Sequence, residues 1–187
     1  MIGRKKAECA NVNKLLIKIM SLHMIKICIS SVIKKLIRPE LIITVGIPGS
    51  GKSTWIRSQS GFEVVSPDEI RRSLGDISDQ SKNTVVYGTA NEKVKNLLSQ
   101  GKNVIYDATN LESKHRLELL EILPKNVKLK AKVFHTDPAE AKRRIKNDLE
   151  KGVNRSKVPD DIIDNMYKNY LKTINENELK SEGFEVL

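Results

Sequence analysis

Cysteine is nearly absent from this sequence: there are two, Cys9 and Cys28, both within the first forty residues. That excludes a disulfide framework, leaves residues 41–187 without thiol chemistry, and suits a reducing, cytoplasmic setting. Aromatic residues are also scarce, at 4%, and no row of them offers a single strand a platform for stacking its bases. No run approaches the roughly 20 uncharged apolar residues of a membrane span, so no stable membrane association is expected. Repeats are absent. With 30% charged and 39% hydrophobic residues in 187, the chain has the composition and length of one globular domain.

Acidic residues are outnumbered, giving a net charge of +10, but the imbalance is local. Residues 1–40 carry nine Lys/Arg against Glu8 and Glu40, which is +7 of the total and leaves +3 for the other 147. The charge is therefore weak evidence for a nucleic-acid surface on the body of the protein. The opening stretch contains "NKLLIKIMSLHMIKICISSVIKKLI", apolar and studded with lysine, without a clean helical stripe. Lysines interrupt its apolar core and no small-residue cleavage site follows, which argues against a secretory signal. It reads as a poorly ordered basic extension over residues 1–40, or as upstream sequence ahead of a start at Met20 or Met24. A basic surface-binding helix is the alternative.

From Leu41 onward the pattern is regular. "LIITV", "FEVVS", "NVIYD", "VKLKAKVFH" and a final "FEVL" read as strands. Helices are expected from about Lys52, over "PDEIRRSL", up to about Gln100 ahead of Gly101, over "SKHRLELLEIL", over "DPAEAKRRIKNDLEKG" and over "PDDIIDNMYKNYLKT". Asp137 is placed to cap the fifth of these, with Pro138 in its first turn. Strands alternating with helices imply an α/β domain over residues 41–187, its mainly parallel sheet covered on both faces.

Glycine and proline crowd one place. "GIPGSGKST", Gly46 to Thr54, follows "LIITV" directly and satisfies G-x-x-x-x-G-K-[ST]. In such a loop Gly46, Ile47, Pro48, Gly49, Ser50 and Gly51 wrap the phosphates of ATP. Gly49 and Gly51 allow the backbone to aim its N–H groups at them. Lys52 reaches the β- and γ-phosphates, the Ser53 hydroxyl holds Mg²⁺, and Thr54 completes the ATP-binding run. A GTPase switch needs an Asp-x-x-Gly element and an Asn-Lys-x-Asp base reader, and neither string occurs. Transfer of a phosphoryl group to a separate acceptor is the better fit.

Three further groupings bear on the acceptor. "SPDEIRRSL" puts Asp68 and Arg71 three apart on one helical face after the second strand. A carboxylate there can take a hydroxyl proton and a cation can meet phosphate charge; a surface ion pair has the same spacing. "NVIYDATN" ends a strand on Asp107, able to order Mg²⁺ through water, with Thr109 and Asn110 placed to line an acceptor site. Arg143, Arg144, Lys146, Lys151, Arg155 and Lys157 form a basic segment that is either a solvated helix or a mobile lid over the phosphoryl group.

Together, GIPGSGKSTW, D-x-x-R, D-A-T-N and the basic segment before "VPDDIIDNMY" resemble the kinase domain of the phage-type polynucleotide 5′-hydroxyl kinases and the small AAA-like ATPases grouped with them. The resemblance runs from Leu41 to about Tyr170. It implies a P-loop NTPase fold with a helical lid, ATP–Mg²⁺ as donor and a nucleic-acid 5′ end as acceptor. It further implies Lys52 and Ser53 on phosphate and metal, Asp68 as general base, and Arg71, Thr109 and Arg116 at the acceptor. Arg144, or failing that Arg155, would act on the phosphoryl group. A small-metabolite or antibiotic kinase of the same fold and an ATP-hydrolysing switch module are the rival functions. The forty-residue extension lies outside the family pattern.

Overall fold

"LIITV" is apolar at every position but one, and it becomes the central strand of the sheet. The computed structural model describes residues 38–75, 83–153, 158–173 and 176–187, with only the backbone at 172, 173 and 176. The expected basic extension lies outside the described residues except at its last three positions. Strand β1 (Glu40–Val45) is flanked by β3 (Val104–Tyr106) and β4 (Lys128–Val133), with β2 (Glu63–Val65) and β5 (Glu185–Val186) at the edges. The order is β2-β3-β1-β4-β5 and every pairing is parallel. Pro39–Leu187 forms one compact unit.

The two-residue period of a strand sorts the side chains of β1 between two cores. Leu41, Ile43 and Val45 join Val104, Tyr106 and Ala131 in the larger one. Ile42 and Ile105 face the other way, onto Ile56 of α1 (Lys52–Arg57), with Trp55 and Phe62 beside them. Trp55 is half-buried, edge-on to Phe134 at 6.0 Å. Thr44, the polar exception, is fully buried, and its hydroxyl donates to the carbonyl of Ala108 at 3.0 Å. A strand buried on both faces needs such satisfaction.

The other helices are α2 (Pro67–Ser73), α3 (Asn83–Ser99), α4 (Ser113–Glu121), α5 (Pro138–Glu150), α6 (Asp160–Thr173) and α7 (Glu176–Ser181). Asp137 caps α5 as its sequence position implies, accepting from the Ala139 amide at 2.8 Å, with Pro138 in the first turn. Helix α7 was not anticipated. Six residues are too few to show a helical period, and α7 rests on packing, with Leu179 fully buried.

Candidate active site

In a parallel sheet all strands end at the same edge, and there the candidate residues gather. The glycine loop leaves β1, Asp68 and Arg71 follow β2, Asp107 to Asn110 follow β3, and α5 follows β4. Residues far apart in sequence thus share one rim.

The loop folds tightly beneath α5. Gly49 has φ 80°, and a Cβ there would lie 2.6 Å from the Ala141 carbonyl oxygen. Gly51, just before α1, has φ 96°. Side chains are excluded by space at the first and by backbone conformation at both. Lys52 Nζ donates to the Gly46 and Ile47 carbonyls at 2.9 Å each, which holds the ammonium over the loop. Ser50 Oγ is buried with no hydrogen-bond partner, and its carbonyl accepts from Thr136 Oγ1 at 3.3 Å. Ser53 and Thr54 are exposed on the first turn of α1. An ammonium held over a glycine-opened loop with an unsatisfied hydroxyl fits the phosphates of a nucleotide.

Asp107 is half-buried, its amide donating to the Val65 carbonyl at 2.9 Å. Burial pushes its carboxyl up, the Lys52 charge opposes this, and Asp68 and Glu69 add to the rise. These four charges therefore share one field. A divalent cation would favour the ionised carboxylate. Among the described residues no group of three or more His, Cys, Asp or Glu could hold a metal. Magnesium commonly takes one or two protein ligands beside phosphate oxygens and water, so Ser53 and Asp107 suit it.

Arg71 is buried and Asp68 is exposed, and they touch. Arg71 Nη1 donates to Asp68 Oδ1 at 2.5 Å and Nη2 to Asn83 Oδ1 at 2.8 Å. The Asp68 side chain is 65% exposed against 6% for Arg71, and Arg71 Nε has no hydrogen-bond partner. The guanidinium fixes the exposed carboxylate on one side, while its Nε is buried and unpaired.

Thr109 and Asn110 brace the site. The Thr109 carbonyl accepts from the Gly46 amide at 3.1 Å, joining the strand-end loop to the glycine loop. Asn110, placed by sequence among the acceptor-lining groups, turns inward: Nδ2 donates to the Thr44 carbonyl at 2.8 Å. Its φ of 45° is one that asparagine tolerates better than most residues.

Arg116 departs from its implied acceptor role. It is 1% exposed, and all three of its guanidinium nitrogens are engaged. Nε and Nη2 pair with Glu182 at 2.7 Å each, Nη2 also reaches Glu178 at 3.2 Å, and Nη1 donates to the Asn110 carbonyl at 3.0 Å. A guanidinium so committed has nothing to offer an acceptor; it ties α4 and the C-terminal segment to the Asp107–Asn110 loop. Removing one partner of a buried pair typically costs about 3–5 kcal/mol. Arg116→Ala should therefore lower Tm by on the order of 10 °C, and an unchanged melting curve would refute the bracing role. Sequence gave no hint of Glu178 and Glu182 because α7 itself was unseen.

Arg144 lies at the rim of the glycine loop, where a Cβ on Gly51 would be 3.7 Å from its Nη1. Its Nε is paired with Glu140 at 2.7 Å, and Arg143 shares that carboxylate. Hydrogen bonds from Arg143 and Arg144 hold the Glu140 carboxyl at about 2. Part of the basic segment is thus neutralised within its own helix. Arg155 lies outside the described residues.

A parallel α/β sheet with a glycine loop on its central strand, facing carboxylates and an arginine across one rim, defines a P-loop kinase-like protein. A family profile described as an AAA domain matches residues 41–172, and the chain belongs to that family. A chain of the Pnkp1/Rnl/Hen1 RNA repair complex is 26% identical with a TM-score of 0.64, the match covering 73% of this chain and 45% of that one. Kti12 of Chaetomium thermophilum, in complex with ADP-AlF3, is 19% identical at TM-score 0.52, covering 79% and 88%. A sugar kinase from Janibacter sp. HTCC2649 is 15% identical at TM-score 0.52, covering 80% and 84%. The last two show the fold alone, and the protein spans less than half of the RNA repair chain. Among the described residues no helix is long and apolar enough to cross a membrane.

Proposed function

We propose that the protein transfers the γ-phosphate of ATP, with Mg²⁺, to the 5′-hydroxyl of a nucleic acid. The observation that carries the reading is the Asp68–Arg71 pair, an exposed carboxylate fixed by a buried guanidinium on the rim that holds Lys52 and Asp107. Similarity to a chain of an RNA repair complex supports the choice of acceptor.

In this reading Asp68 orients the hydroxyl and takes its proton as the oxygen bonds to the γ-phosphorus. The bond from that phosphorus to the β–γ bridging oxygen breaks, and ADP leaves. Lys52 offsets the charge on the β- and γ-phosphates. Ser53 and Asp107 would hold Mg²⁺, which when bound neutralises phosphate charge. Arg71 contacts the phosphate 3′ to the reacting nucleoside, with Thr109 near it. Arg144 reaches the phosphoryl group by exchanging Glu140 for it. A cytoplasmic location fits the cysteine usage.

The test is transfer from labelled ATP to 5′-hydroxyl oligonucleotides, nucleoside 3′-monophosphates and simple alcohols, assayed side by side. The first two should be phosphorylated. Arg71→Ala should raise KM for both while leaving KM for ATP nearly unchanged. Transfer only to another hydroxyl compound would replace this reading with that of a metabolite kinase. Hydrolysis without transfer to any acceptor would leave an ATP-driven switch.

A further inference from the structure

Few aromatic side chains are available, and most are occupied elsewhere. Trp55 packs on Phe134, Tyr167 stacks on Tyr170, and Phe184 is in the core. Tyr106 is buried with its hydroxyl on Asn91 Oδ1 at 3.1 Å. Tyr87 of α3 is different, because it stands beside Arg71. It is half-buried, one helical turn beyond the Asn83 that holds Arg71 Nη2, and it lies within the field of Arg71, Asp68 and Glu112. Burial holds the phenol in its neutral form. Its ring lies 5.8 Å from the imidazole of His115 on α4, centroid to centroid, with the planes only 20° apart. His115 is half-exposed, with the Glu112 carboxylate at 4.0 Å. Asp68, Arg71, Tyr87 and His115 thus form a continuous series from the carboxylate to two near-parallel rings.

We propose that Tyr87 and His115 form the wall along which the acceptor's nucleobase lies, so that the site selects a hydroxyl carried by a nucleoside over one carried by a sugar or alcohol. The inference rests on the reading of Asp68 and Arg71 given above. A nucleoside 3′-phosphate with its hydroxyl at Asp68 and its phosphate at Arg71 has one group left to place, the base. The ring system nearest Arg71 along α3 is Tyr87, with the more exposed His115 stacked on it. Every base has a π face, so such a wall accepts all four while giving little to a flexible acceptor. Partial burial and the stack hold the inner ring, and the half-exposed imidazole leaves surface for a planar ligand. His115 is accordingly a specificity-determining residue that takes no part in proton transfer.

The test compares two acceptors, thymidine 3′-monophosphate and 1,2-dideoxyribose 3-phosphate. The second keeps the hydroxyl and phosphate and lacks the base. The wild-type enzyme should prefer the first. In His115→Ala that preference, read as the ratio of the two kcat/KM values, should fall by about 5- to 150-fold, the size of one base–ring stack. His115→Phe, which keeps a flat ring, should restore it. A structural role for His115 would move both acceptors together and leave the ratio unchanged. An unchanged ratio in His115→Ala, or equal wild-type use of both acceptors, overturns the wall and leaves the nucleic-acid reading standing. Failure of the wild type to phosphorylate either acceptor overturns that reading and this inference with it.

Discussion

Asp68→Asn is expected to lower kcat by about 10²–10⁴-fold with KM for the acceptor little changed, the loss typical of a general base. Asparagine keeps the length of the side chain and an oxygen for Arg71 Nη1, which Asp68 now holds at 2.5 Å. It removes the ability to take a proton. Because the amide oxygen can still accept from Arg71, which also keeps Asn83, the substitution should lower the melting temperature by only a few degrees. Activity and stability therefore separate. A kcat near that of the wild type would assign Asp68 to a surface ion pair and remove the base from the proposed chemistry. The measurement does not depend on which hydroxyl compound is the acceptor, so it tests the catalytic reading apart from the substrate.

Loss of the loop lysine should be nearly as damaging. Lys52→Ala removes the positive charge that the proposed chemistry sets against the β- and γ-phosphates, and transfer should fall by about 10²–10³-fold. The side chain also donates to two carbonyls of its own loop, so part of any change in stability belongs to the loop. A second readout isolates the electrostatic effect. Lys52 opposes the upward push of burial on the Asp107 carboxyl. Its removal should move the titration of that carboxyl to higher pH, observable by NMR. Near-wild-type transfer by Lys52→Ala, or an Asp107 titration that does not move, would detach the lysine from the site.

The site lysine and the site arginine show how differently one kind of charge reads from sequence. Lys52 is legible because everything that defines it is local. A strand precedes it, glycines stand at set distances before it, and the helix opens on it, so fourteen consecutive residues, Leu41 to Thr54, carry the whole argument. Arg116 is also a cation near a strand end, and the family resemblance implied an acceptor contact. Its surroundings are decided by Glu178 and Glu182, more than sixty residues later, on and after a helix too short to leave a period. A buried charge must be paired, and only the chain's return path supplied the partners.

What the sequence determined alone was whatever repeats over a few residues: the alternation of strands and helices, the parallel sheet it implies, the phosphate loop, and the Asp68–Arg71 spacing on one helical turn. The tertiary structure decided which side chain is covered and by what. It buried Arg71 while leaving Asp68 in water, turned Asn110 inward to brace β1, and brought Tyr87 and His115 from two helices into one stack. The physical reason is range. Helical and strand periods are set by neighbouring φ and ψ angles, whereas burial and pairing depend on contacts between segments whose separation in sequence carries no periodic mark.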